Sequence, residues 1–454
     1  MVLFIGREKE LEWLEGEYKT KIPSFVVLYG RRRIGKTSLV AKFLKERNSL
    51  YYLADESPPK EQLTEFSRGI SRWYGSAVRF DSWYNAFEFL SKVKKRKKLA
   101  IAIDEFPYLL SSDGAIISKF QKIWDELLSK QNVMLILLGS SVSVMENEVL
   151  AKKSPLYGRR TSQIELKPFS ISGLMTFFGK DMENALLKYG ISDGIPAYAE
   201  KIKRTKFPEC LNEVLSPNKF LYGEASFLLK SEFRETPVYR EILYAIANGR
   251  NMFGEIAQFS EVSGQKLPQY LKNLASARLI KKDFPVTSKK EFRGARYVIE
   301  DNYFNFWFRF VRPNKESIEY GRSKEVFDAV VKDYNHYMGR IFEKAILLMV
   351  DKFIPFNFTN AGRWWHKNEE IDVVTFDRNT RKILFAECKW SEKVDAENVL
   401  RELRRKAKLV DWHKEKREEY YAVFAKSFKK KIKEENVLLF DLKDMEKIFR
   451  QRIK

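Results

Sequence analysis

Cysteine and histidine are nearly missing from this chain of 454 residues: Cys210 and Cys388 are its only thiols, and His336, His366 and His413 its only imidazoles. So few sulfur and nitrogen ligands exclude a zinc centre of cysteine and histidine, and two cysteines make no disulfide framework. A catalytic metal, if used, has to be held by carboxylates. No apolar run reaches the roughly 18 residues that cross a bilayer. The opening Met1-Val2-Leu3-Phe4-Ile5-Gly6-Arg7 lacks the plan of a secretory signal. Together these absences predict a cytoplasmic protein with no membrane partner.

Positive charge, in contrast, is plentiful. The 83 basic residues outnumber 61 acidic ones, for a formal charge of +22. Such a balance favours a polyanionic partner, because each neutralised phosphate releases counterions. A hydrophobic fraction of 44% over this length supports two to four folded domains.

The apolar stretch Ser24-Phe25-Val26-Val27-Leu28-Tyr29 predicts a buried strand, and Thr37 to Glu46 predicts a helix. Between them lies Gly30-Arg31-Arg32-Arg33-Ile34-Gly35-Lys36-Thr37. A glycine-bracketed loop between a strand and a helix wraps phosphates with its N–H groups at the positive end of the helix dipole. Gly30, Arg31, Arg32, Arg33, Ile34, Gly35, Lys36, Thr37 and Ser38 are therefore the expected ATP contacts, with Lys36 on the β and γ phosphates and Thr37 on magnesium. Three arginines inside the loop depart from the small-residue pattern. A second strand, Leu99 to Ile103, ends in Asp104-Glu105, at the carboxyl edge where parallel sheets collect ligands. Asp104 is expected to hold the magnesium through water and Glu105 to polarise the attacking water. A third, Val133 to Leu138, delivers Gly139-Ser140-Ser141, where Ser140 either senses the γ phosphate or caps the next helix.

Helices near Tyr239–Ala247, Met252–Ser260 and Gln265–Ala277, then extended stretches Leu279–Val286 and Ala295–Ile299 around a turn with Lys289, Lys290 and Arg293, describe a winged helix. Gln265, Lys266, Gln269 and Lys272 face DNA if the third helix enters a major groove. Such a module can also pack against the nucleotide domain. The aromatic run Tyr303 to Phe310 reads as core at helical spacing rather than as a base-stacking platform. Pro313 to Ser323 reads as a linker.

Beyond it, a helix carries Glu343, and a hairpin carries Glu370-Ile371-Asp372 on one strand and Glu387-Cys388-Lys389 on the other. Period-two alternation puts Glu387 and Lys389 on one face and turns Cys388 away, so Cys388 is packing rather than nucleophile. Two carboxylates and a lysine at a sheet edge can hold magnesium, orient hydroxide and stabilise a scissile phosphate. A helix over Asp395–Lys416 and a strand near Tyr420–Phe424 follow. From residue 401 onward eighteen basic side chains face ten acidic ones, which suits contact with a phosphate backbone.

Phe4-Ile5-Gly6-Arg7-Glu8-Lys9-Glu10-Leu11, the phosphate loop, Ile103-Asp104-Glu105 and Leu138-Gly139-Ser140-Ser141 resemble the archaeal ATPase family, within the AAA+ and STAND group of P-loop ATPases. The resemblance implies that Arg7 lies near the adenine and that Pro196 of Gly194-Ile195-Pro196-Ala197-Tyr198 closes over it. It also implies an arginine finger in Gly158-Arg159-Arg160, with Arg159 the candidate and Arg160 the reserve. A finger that reaches phosphate requires domain closure or a homo-oligomer. The C-terminal pattern resembles the PD-(D/E)xK, restriction-endonuclease-like superfamily, although Ile371 replaces its proline. By that resemblance Glu343, Asp372 and Glu387 ligate metal, while Asp372, Glu387 and Lys389 are catalytic.

The expected fold class is α/β: a P-loop AAA+-like parallel sheet (1–170) with a helical lid (171–234), then a winged helix (235–312) and an α/β restriction-endonuclease-like domain (313–454). The expected activity is that of a DNA-associated, magnesium-dependent ATPase with nuclease capacity. Its rivals are a STAND-like switch whose last domain binds nucleic acid or protein without cutting, and a mobile-element or replication-associated ATPase that remodels DNA.

Overall fold

The computed structural model describes residues 6–93, 97–288 and 294–452. Phe4 and Ile5, and the turn residues Lys289, Lys290 and Arg293, lie outside the described residues. The chain divides into two compact units, Met1–Pro168 and Phe169–Lys454.

In the first unit, β1 (Ser24–Tyr29), β2 (Ser49–Leu53), β3 (Leu99–Asp104), β4 (Val133–Gly139) and β5 (Ser162–Glu165) form one sheet in the order β2-β3-β4-β1-β5. Every pairing in it is parallel. Parallel strands covered on both faces must be apolar throughout, and β1, β3 and β4 are buried at every position. Their polar residues are consequently displaced to the strand ends, which is where the phosphate loop, Asp104 and Ser140 emerge. Insertion of β4 between β1 and β3 brings all three to one edge of the sheet. The α/β class expected from the sequence is the class observed.

The second unit opens with helices Ile171–Phe178, Met182–Ser192, Pro196–Ile202 and Phe220–Glu232. Helices Thr236–Ala247, Phe253–Ser260 and Leu267–Ser276 then lead into an antiparallel pair, β6 (Ile280–Asp283) and β7 (Arg296–Ile299). The aromatic run is helical and buried, from Tyr303 to Phe310 except Asn305 and Arg309. Its polar tips are satisfied inside: the Tyr303 hydroxyl donates to the Leu221 carbonyl at 2.6 Å, and Trp307 Nε1 to the Tyr222 carbonyl at 2.8 Å.

The expected linker is not a loop. Residues 312–314 form a 3-10 turn and Lys315–Glu319 an α-helix, because Ile318 is buried and holds the segment down. A helix of 27 residues, Ser323–Met349, follows and carries Glu343. The last sheet joins β8 (Asn360–His366), β9 (Glu369–Phe376), β10 (Lys382–Lys389), β12 (Glu418–Ala425) and β14 (Val437–Phe440) in the order β14-β12-β10-β9-β8. Its first three strands are antiparallel, and β12 and β14 run parallel to β10. A small separate pair joins β11 (Val394–Asp395) to β13 (Phe428–Lys430).

The helix expected over Asp395–Lys416 is shorter, Ala396–Ala407. Arg417 stops it: its buried guanidinium donates to the carbonyls of Ala407, Val410 and Trp412 at 2.7 to 2.9 Å, so these acceptors need no further helical turn. Replacing Arg417 by Met strands those carbonyls. We expect it to destabilise the second unit by about 2–3 kcal/mol. Denaturant melts would show a lower midpoint, whereas Lys414→Met, on an exposed turn residue, should leave the midpoint unchanged.

Candidate functional site

At the carboxyl edge of the first sheet, the chain leaves β1 through Gly30, whose φ of +151° and close approach to the Leu166 carbonyl leave no room for a Cβ. Gly35, at φ +92°, turns the loop into the Lys36–Leu44 helix. Lys36 Nζ folds into the loop and donates to the carbonyls of Gly30 at 2.8 Å and Arg31 at 3.0 Å. The Thr37 hydroxyl donates to Asp104 Oδ2 at 2.6 Å, which also accepts from the Tyr51 hydroxyl at 2.9 Å. Ser38 is exposed beside Thr37 at the start of the same helix.

Glu105, in left-handed conformation at φ +54°, begins the next helix. Its Oε2 accepts from the Ser140 hydroxyl at 2.6 Å and from the Ser140 N–H at 3.2 Å. Of the two roles open to Ser140, neither matches its present contact: it holds the carboxylate of Glu105. Ser141 starts the following helical turn without a side-chain cap.

Arg7 is buried, and its guanidinium donates to the carbonyls of Ile34 at 3.1 Å and Lys167 at 2.7 Å and to Glu10 at 2.9 Å. Desolvation in this position lowers its affinity for its proton, and Glu10 opposes that shift. The residue therefore braces the phosphate loop from behind, a role that no sequence spacing signalled. Arg32 reaches the Tyr108 hydroxyl at 3.3 Å, while Arg33 takes a left-handed φ of +69°. Arg159 forms an ion pair with Asp125 at 2.8 Å and donates to the Pro155 carbonyl. These bonds go to Asp125 and Pro155 rather than to the phosphate loop. Pro196 is the first residue of the Pro196–Ile202 helix, between buried Ile195 and Tyr198.

In the second unit, pairing of β9 with β10 runs up to Val373 opposite Ala386, and Asp372 and Glu387 are the next residues along. Asp372 Oδ2 accepts from the Cys388 N–H at 2.8 Å. Glu387 is buried, and its two oxygens are taken by Lys389 Nζ at 2.6 Å and Lys406 Nζ at 2.8 Å. Lys406, visible beforehand only as one of a basic row, is thus part of the site. Glu343 lies 3.3 Å from Arg363, which also reaches Glu370 at 3.3 Å.

Burial, then the charges of Glu343 and Glu387, push the Asp372 carboxyl well above the ordinary carboxylate range. Burial likewise raises Glu343, against the pull of Arg363 and Arg340. Lys389 holds its proton more tightly than usual because Glu387 and Asp372 outweigh its desolvation. Cys388 is buried and its thiol is driven upward by that burial and by Asp372, so it is no nucleophile. Among the described residues, no three His, Cys, Asp or Glu side chains already form a cation cage. Magnesium does not require one, since it keeps several waters and uses one or two carboxylates. Asp372, with Glu343 and Glu387 in its field, could supply such carboxylates.

Residues 4–202 match the family described as an ATPase domain predominantly from Archaea, and residues 307–400 match a family of archaeal and bacterial proteins of unknown function. Uncharacterized protein MJECL04 of Methanocaldococcus jannaschii is 38% identical over 97% of this chain and all of its own length. Uncharacterized ATP-binding protein MJ0423 of the same organism is 45% identical over 10% of this chain and 80% of its own. Among solved structures, the Walker-type ATPase PABY2304 of Pyrococcus abyssi aligns with a TM-score of 0.53 at 22% identity, over 67% of this chain and 96% of that one. That likeness concerns the fold.

Asp372 allows a test without any ligand. An acid whose folded pKa is raised stabilises the fold at low pH and loses that contribution as pH rises through the folded value. Asp372→Asn removes the penalty. In EDTA it should melt above wild type at about pH 8, with the difference vanishing toward about pH 4. Equal melting temperatures at both ends would mean that the three acids do not share one field.

Proposed function

Because the chain belongs to the predominantly archaeal family in which a P-loop ATPase domain precedes this C-terminal domain, we propose that it hydrolyses ATP while associated with DNA, and that its C-terminal domain cuts DNA. The observation that carries the second half is the convergence of Glu343 from a helix with Asp372, Glu387 and Lys389 from adjacent strands, close enough that Glu343 and Glu387 raise the Asp372 carboxyl and Glu387 and Asp372 raise Lys389. The basic C-terminal segment supports the choice of a phosphate polymer as substrate.

In the ATPase site, the Thr37 hydroxyl would bind magnesium directly and Asp104 through water, in place of their present mutual bond. Lys36 already stands inside the loop that receives the phosphates. Glu105 orients the attacking water once its carboxylate leaves Ser140, and Ser140 restrains it until then.

In the C-terminal site, Asp372 and Glu387 would hold magnesium, which when bound supplies Lewis acidity and lowers the pKa of its water. Lys389 stabilises charge on the scissile phosphate and keeps its proton at neutral pH. One observation fits a second reading, a regulatory switch that binds without cutting: Lys389 and Lys406 already occupy both oxygens of Glu387.

Full-length protein incubated with plasmid, linear and branched DNA, with magnesium or EDTA and with or without ATP, separates the two readings. Glu105→Gln should lower ATP turnover by about 10²- to 10⁴-fold while nucleotide still binds, and Lys36→Ala should abolish turnover. Asp372→Ala and Lys389→Ala should abolish cleavage with ATPase activity intact. Cleavage that survives both changes rejects the C-terminal assignment, and the absence of cleavage in wild type on every substrate selects the switch.

A further inference from the structure

The second unit contains a cavity of about 180 Å³ between the β6–β7 hairpin, the aromatic helix, the Ser323–Met349 helix and β8. Lys281, Arg309, Arg340 and Arg363 line it, and so does Glu343, the helix acid of the C-terminal site. Asp283, Glu300 and Lys344 line it too, which leaves five cations against three acids, and Lys281 and Arg340 are exposed to solvent.

Most of these charges are already matched. Lys281 has Asp283 at 3.9 Å, Arg309 has Asp333 at 2.8 Å, and Arg363 has Glu343 and Glu370 at 3.3 Å. Arg340 differs: among the described residues its guanidinium has no hydrogen-bond or ion-pair partner, and it lies in the fields of Arg363, Glu343, Glu370 and Arg309. Water answers such an exposed guanidinium, and an oxyanion can take the place of that water. Guanidinium geometry favours a planar or tetrahedral oxyanion, gripped by two N–H groups at once.

We propose that this cavity is a phosphate subsite in which Arg340 is the principal ligand and Arg309 and Lys281 assist. Its volume lies below the roughly 300–1,000 Å³ of pockets that enclose a drug-sized molecule, so it takes a phosphate group rather than a whole nucleotide. Glu343 lies on its wall and also acts on Asp372, so a phosphate held here adjoins the acids of the C-terminal site. The proposal deepens the nuclease reading and rests on it only for the source of the phosphate, a nucleic-acid strand as against free phosphate.

The test uses the full chain as wild type, Arg340→Gln, Arg340→Lys and Lys281→Gln, with thermal melts confirming that each folds. In one arm, a fluorescent oligonucleotide is titrated by anisotropy across a salt series. Loss of Arg340 should weaken binding about tenfold and flatten the dependence of log affinity on log salt by roughly 0.7–0.9. Arg340→Lys should keep that slope, and Lys281→Gln should shift affinity in the same direction by less. In the other arm, with the phosphate loop filled by a non-hydrolysable ATP analogue, inorganic phosphate should raise the melting temperature of wild type and not of Arg340→Gln.

An effect in both arms supports a strand phosphate, and an effect on inorganic phosphate alone supports the subsite with free phosphate as its source. If wild type binds no oligonucleotide, the nucleic-acid reading fails while the phosphate arm still decides the subsite. If Arg340→Gln matches wild type in both arms, the proposal is overturned.

Discussion

A carboxylate at the end of a buried strand cannot stand alone, and both sites of this molecule follow from that constraint. Removing an ion from water costs several kcal/mol unless donors replace its hydration. Asp104 is fully buried at the end of β3 and receives Thr37, Tyr51 and the N–H of Glu105. Glu387 is nearly so near the end of β10 and receives Lys389 and Lys406. The apolar strands give the sheets their stability, but the same apolarity means that any acid at their ends must bring partners with it. Those partners are the groups that phosphate chemistry uses.

The same constraint accounts for the arrangement of the ATPase residues. Each group that would meet ATP or its magnesium is engaged with a neighbour: Lys36 with loop carbonyls, Thr37 with Asp104, Glu105 with Ser140. Lys36 bonds within its own loop, whereas the Thr37–Asp104 and Glu105–Ser140 bonds link segments at the carboxyl ends of different strands. Arg7 differs, because its bonds to the Ile34 and Lys167 carbonyls engage backbone and none of the groups that would meet ATP or its magnesium.

Much of this was legible in the sequence where local chemistry dictates local structure. Continuous apolar runs bounded by a glycine loop or a carboxylate can only be central parallel strands, and β1, β3 and β4 fall where those runs do. Two edge strands, β2 and β14, escaped detection. In β2 burial alternates, leaving Tyr51 and Leu53 exposed, and β14 is half-buried throughout, so neither carries a strong apolar signal. Long-range partners were equally hidden: nothing near Lys406 points to Glu387, nineteen residues away. Arg417 ends a helix by reaching back ten residues. The three helices and the β6–β7 pair lie near the ranges read from local periodicity, and Gln265, Lys266, Gln269 and Lys272 are exposed.

Adjacency along one helix adds a further consequence. Glu343 and Lys344 are consecutive, so successive side chains diverge by about 100° around the axis. Glu343 meets Arg363 and the field of Asp372, while Lys344 Nζ donates to Asp193 at 2.8 Å and Asn302 at 2.8 Å. Asp193 immediately precedes Gly194-Ile195-Pro196, and Gly194 at φ +72° packs so closely on the Phe169 carbonyl that no Cβ fits. A turn this tight transmits displacement rather than absorbing it. Rotation of the long helix about its axis would therefore strain the Glu343–Arg363 and Lys344–Asp193 bonds at the same time.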